Sequence, residues 1–135
     1  MAPHDRVRAW LAARGCPLFV VEGGIAGLVA SWESFALALE AGYACGLDEY
    51  RNDVDGRELL QGALAVASED EGRAFGRRVR LADARVRQEL RATPVCVWGA
   101  KNAARNGWNA GRNWWYFMTP VRMNDELARE IAALR

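Results

Sequence analysis

Between Ile25 and Tyr43 the apolar residues fall three and four apart: Ile25, Leu28, Val29, Trp32, Phe35, Ala36, Leu39 and Tyr43. On an α-helix this spacing puts them all on one side. Gly42 and Gly46 mark the exit. The other side is mostly Ala and Leu, so this helix is expected at the centre of the fold. Its apolar core, Ile25 to Leu39, is interrupted by Glu33 and followed by Glu40, which reads as too short and too polar for a membrane span.

The remaining elements are arranged around that helix. Val7, Trp10 and Leu11 predict a short helix from Asp5 to Arg14, stopped by Gly15 and Pro17. Leu18 to Val21 is a brief apolar run that periodicity alone leaves as strand or buried connector. Leu47 to Ala67 reads as helical, with Leu47, Tyr50, Val54, Leu60 and Leu64 inward and a break expected at Gly56, where Asp55 and Glu58 suit a second cap. Ser68-Glu69-Asp70-Glu71 has the acids of a new helix start. Phe75, Val79, Ala82, Val86 and Leu90 make its apolar stripe, and Thr93-Pro94 ends it. Val95 to Trp98 and Trp114 to Met118 are aromatic and β-branched enough for two short strands. The connection between them is long unless Ala100 to Asn106 adds a helical turn. Asn124 caps a last helix to about Leu134.

These signals define a mainly α protein. The expectation is a single compact globular domain over residues 1–135, with four or five helices and a small two-stranded β element near the C-terminal third. A chain of 135 residues can bury a core of its own without disulfide staples. Cys16, Cys45 and Cys96 are isolated and form no C-x-x-C pair, which fits a reducing, cytoplasmic setting. The first residues show no secretory apolar core. Seventeen Arg against one Lys, with abundant Ala, is a composition expected of a GC-rich bacterial genome.

Charge is segregated along the chain. Met1 to Glu71 carries a net −7, Gly72 to Arg122 a net +9 and the last residues −1, which the overall +1 conceals. Such asymmetry implies either segments that pair internally or surfaces made for charged partners. The acidic cluster Asp48, Glu49, Asp53 and Asp55 surrounds Tyr50. Its Asp53-Val-Asp55-Gly56 core partly follows a calcium loop, but Arg51 and Gly62 stand where that loop needs ligands. Helix capping with ion pairs to the arginine helix explains the cluster equally well, and no metal or cofactor is expected.

Seven arginines lie between Arg73 and Arg91; Arg73, Arg77, Arg80, Arg87 and Arg91 form a stripe that seats against acids within the fold, or is a plain solvated face, or attracts phosphates. Trp98 to Phe117 interleaves aromatics with Asn and Arg. Lys101, Arg105, Trp108 and Arg112 there suit base stacking with phosphate contact, or a protein interface rich in Trp and Arg. Of the adjacent pair Trp114 and Trp115, one is expected in the core. Catalytic nucleophiles lack support: the sole histidine, His4, is terminal, no G-x-S-x-G occurs, and Gly23-Gly24 with Gly27 lacks the Lys-Ser/Thr of a phosphate loop.

Three functions follow as expectations. The first is a small protein-binding domain, of the adaptor or immunity/antitoxin kind, using Asp48, Glu49, Tyr50, Asp53, Asp55 and Trp108. The second is single-stranded nucleic-acid binding through the arginine helix and the Trp/Asn/Arg loop. The third is a small hydrolase or ligand-binding protein using Asp, Glu and Arg.

Overall fold

The computed structural model describes residues Asp5 to Arg135; His4 lies outside them. Helix α1 (Asp5–Ala13) leads into α2 (Leu18–Glu40), α3 (Leu47–Val66) and α4 (Glu69–Gln88), followed by β1 (Leu90–Ala92), α5 (Ala100–Asn106), a 3₁₀ turn (Trp114–Phe117), β2 (Met118–Pro120) and α6 (Asp125–Ala132). The described residues thus hold six α-helices and one small antiparallel sheet in one compact, mainly α domain.

Helix α2 is central, packing on α1, α3 and α4. Every residue of its expected stripe, from Ile25 to Tyr43, is buried. The opposite side faces solvent, including Leu37, so the helix is central on one face only. The helix also begins earlier than expected. Pro17 fixes the entry, its carbonyl accepting from Val20 and Val21 N–H, and Leu18 to Val21 continues as helix rather than strand or connector. At 23 residues α2 is long and apolar enough to cross a membrane; here its apolar side is the centre of the bundle. Two helical pieces meet at Gly24, where φ is +58° and ψ −157°, a conformation natural to glycine. The break exposes the Glu22 carbonyl, and Arg8 satisfies it through Nε and Nη2 at 3.2 and 3.0 Å.

Two ion pairs bridge α2 and α4 at the rim of their apolar contact. Glu33 takes Arg78 and Glu40 takes Arg85, each through both guanidinium donors at 2.6 and 3.1 Å. Both partners advance by seven residues from one rung to the next, so the two helices run parallel in register, with α3 as the return crossing. The Ser68 hydroxyl accepts from Glu71 N–H and the Glu71 carboxylate accepts from Ser68 N–H, a complete capping box at the start of α4.

Helix α3 is continuous through Gly56: Asp55 is not a cap, because its carboxylate is engaged elsewhere in the fold. At Gly62 the Trp10 indole lies so close that an added Cβ would sit 2.4 Å from its ring carbons. The sheet is offset from the expected strands. Leu90 pairs with Pro120, Arg91 with Thr119 and Ala92 with Met118, so α4 ends at Gln88 and Leu90 and Arg91 belong to a strand. Val95 to Trp98 is irregular, and Trp114 to Phe117 curls into the 3₁₀ turn. An extended run would send Trp115 and Tyr116 to opposite sides; the tighter turn buries both. Asn124 caps α6, accepting from Leu127 N–H at 2.8 Å, and Leu127 is its buried anchor.

Candidate functional site

The acidic cluster divides. Asp48 and Glu49, in the first turn of α3, are exposed, and Asp48 reaches Arg51 at 4.0 Å. Tyr50 is buried in the core, its hydroxyl donating to the Met118 carbonyl at 2.7 Å, so it serves the fold and is no surface anchor. Asp53 and Asp55 are half-buried and each receives a phenol. Tyr43 donates to Asp53 Oδ2 at 2.6 Å. Tyr116 and the Trp98 indole donate to Asp55 Oδ1 at 2.7 and 2.9 Å.

Burial raises the pKa of both aspartates, outweighing the donors that favour their charged forms. Burial and the facing carboxylates push the Tyr43 and Tyr116 phenols far above their ordinary range. The phenols are therefore fixed donors. The two aspartates are titratable groups that the fold keeps half-buried against the cost of desolvation.

Both line surface clefts. One, of about 370 Å³, is walled by Phe19, Val20, Leu28 and Leu59 with Asp53 and Asp55. Beyond Asp55 and Leu59, which border both, a second of about 400 Å³ is lined by Glu58, Asn102, Trp98, Trp108 and Tyr116, with Arg14 also on its lining. Phe19, on the wall of the first cleft, is 76% exposed, an unusual placement for a large apolar side chain next to a cleft, and the preceding Leu18 is 71% exposed. The described residues contain no group of three His, Cys, Asp or Glu side chains placed to hold a metal ion. For the hydrolase reading, Asp53 and Asp55 are neighbours on one cleft but each already accepts a phenol O–H.

The expected arginine stripe lies wholly on the surface, and two other arginines of α4 meet the acids. Arg78 and Arg85 face α2, whereas the acids expected to meet this stripe were those of the preceding helix. Arg73, Arg77, Arg80 and Arg87 on α4 and Arg91 on β1 are exposed. Arg73 pairs with Asp70 at 2.5 Å, and Arg87 lies over the Trp114 ring at 4.5 Å. Between α3 and α4 the polarity reverses: Arg57, on the acidic helix, pairs with Asp83, on the basic one.

Ala100 to Asn106 does form a helix, and Lys101, Arg105 and Arg112 are exposed on it and on the loop after it. That loop is held by its own asparagines: Asn109 Oδ1 accepts from Gly111 and Arg112 N–H, and Asn113 Nδ2 donates to Glu58 at 2.8 Å. Trp108 is half-buried, tilted against Tyr116 at 4.2 Å between centroids, so it presents one face at most. Trp115 is the core member of the tryptophan pair, its Nε1 buried without a hydrogen-bond partner among the described residues. Trp114 is half-buried against Trp32.

Sequence reasoning did not find Glu58, Leu59, Asn102, Phe19 or Arg57. The first two follow Asp55 by three and four residues, so they share a face of α3 with it; continuity of the helix through Gly56 was the missing premise. No family model, curated protein or solved structure matches this chain.

Proposed function

We propose that this chain is a small protein-binding domain of the adaptor or immunity type, with its recognition face at the cleft between α2 and α3. The observation that carries this reading is the pairing of a cleft bearing Asp53 and Asp55 with the exposed Phe19 on its wall. A partner segment with an apolar anchor and neighbouring basic residues fits that chemistry: the anchor supplies affinity, and the carboxylates select charge. The free thiols Cys16, Cys45 and Cys96 support a cytoplasmic setting for the encounter. The test is capture of a stoichiometric partner by the full chain. Capture should be lost with Phe19→Ser, whose exposed side chain spares the fold, and kept with Arg77→Gln/Arg80→Gln. Indifference to Phe19→Ser would overturn the assignment of this face.

A second reading, single-stranded nucleic-acid binding, is favoured by the outward Arg77, Arg80, Arg87 and Arg91. Titration of a labelled oligonucleotide at low salt tests it: affinity should fall steeply with added salt and with Arg77→Gln/Arg80→Gln.

A further inference from the structure

Resting on the protein-binding reading, we propose that the cleft beneath Trp108 takes the guanidinium of an arginine from the partner. The argument begins inside the fold. Arg57 is only 5% exposed, yet its charge is fully accommodated. Its Nε and Nη2 donate to the two oxygens of Asp83 at 2.9 Å, and Nη1 donates to Gln61 at 3.0 Å. Its plane lies over Trp115 at 4.6 Å. Carboxylate, amide acceptor and indole together hold a planar cation, because the forked donors match the carboxylate and the aromatic face supplies negative quadrupole.

The same kinds of group line the cleft beside α3: Asp55 and Glu58 as carboxylates, Asn102 as amide, and Trp98, Trp108 and Tyr116 as rings, with Arg14 also on the lining. Asn102 directs its nitrogen to the Trp98 carbonyl at 2.7 Å, so its other polar atom is an acceptor. Glu58 gives one oxygen, Oε1, to Asn113, and Asp55 receives both its donors on Oδ1. Each carboxylate thus has a second oxygen. Two cations lie close by. Arg51 occupies one face of Trp98 at 4.8 Å with its Nε on the Val97 carbonyl at 2.7 Å. Arg14 lies on the lining and stacks over Trp10 at 4.9 Å. Arg51 is therefore committed, whereas Arg14 is the like charge an incoming guanidinium must tolerate. An anionic side chain is repelled by the two carboxylates, a neutral donor brings no charge to them, and a lysine lacks the planar fork.

The experiment is an NMR titration of the full chain with N-acetyl-arginine amide, against N-acetyl-citrulline amide as its uncharged isostere. The arginine probe should move the indole N–H resonances of Trp98 and Trp108 saturably, with citrulline about tenfold weaker or more. Glu58→Gln keeps an acceptor for Asn113 and should weaken the arginine probe several-fold, as should Asp55→Asn; Arg14→Ala should tighten it. Equal response to both probes, or an arginine response unchanged in both carboxylate variants, overturns the proposal. The two readings fail separately: capture lost with Phe19→Ser but a silent arginine titration leaves the protein-binding face standing without this pocket. An arginine response without any captured partner does the reverse.

Discussion

Arg57 sets its guanidinium against Asp83, Nε to Oδ1 and Nη2 to Oδ2 at 2.9 Å each, and so reverses the charge order of the helices around it. The acid-rich helix supplies the base and the arginine-rich helix the acid. Asp83 Oδ1 also accepts from the Trp32 indole at 2.8 Å, so one carboxylate ties α2, α3 and α4 together.

Removing either member of that pair should be severely destabilising, because the survivor loses its counter-charge in a largely buried site. We expect Asp83→Ala to cost about 3–5 kcal/mol, and Arg57→Ala a similar amount. The double variant Arg57→Met/Asp83→Leu should lose far less than the sum. Urea denaturation of the four proteins, read as a double-mutant cycle, gives the coupling.

Gly62→Ala should destabilise by roughly 1–3 kcal/mol, since its methyl would overlap the Trp10 ring carbons. The remedy lies in the same contact. With Trp10→Leu in place, Gly62→Ala should cost little, which thermal unfolding of both backgrounds would register.

Asp53 and Asp55 carry carboxyls that burial holds above their ordinary value, so the native state binds these protons more tightly than the unfolded chain. Their contribution to stability is complete below the unfolded value of about 3.9 and is lost as pH rises through the folded values. Asp53→Asn and Asp55→Asn, which keep an oxygen acceptor, should therefore melt higher than the parent near neutral pH. The gain should shrink as the pH is lowered toward about 3.5. Glu33 and Glu40 titrate with the opposite sign. The Arg78 and Arg85 hydrogen bonds hold them below their ordinary value, so their contribution is present above the unfolded value and fades as pH falls through the folded one.

Ser68→Ala removes the hydroxyl half of the α4 capping box and should cost about 1 kcal/mol. Ser68→Asp, which retains an acceptor, should lose much less in the same denaturant titration.

The main elements were legible in the chain because helical periodicity is a property of single segments. The stripe from Ile25 to Tyr43, the Ser68 start and the Asn124 cap are all local. What was not legible depends on who meets whom. The strands were displaced because burying Trp115 and Tyr116 together outweighs the strand preference of aromatic residues. Arg78 and Arg85 find their acids on α2 rather than on the preceding helix, because adjacency in sequence is not adjacency in space. A signal did exist there: Glu33 and Glu40 are seven apart, as are Arg78 and Arg85. For the site, Asp53 and Asp55 were singled out, but Tyr50 was placed outside although its own spacing pointed inward. Glu58 was passed over in favour of a cap that α3 does not form.

The two rungs joining α2 to α4 have a geometric consequence. A one-turn slide of α4 along its neighbour, about 5.4 Å, would separate both glutamates from their arginines, and Asp83 from Arg57 as well. Three contacts of mixed sign thereby favour one docking depth, adding a charge code to the register that the interlocking apolar side chains already set.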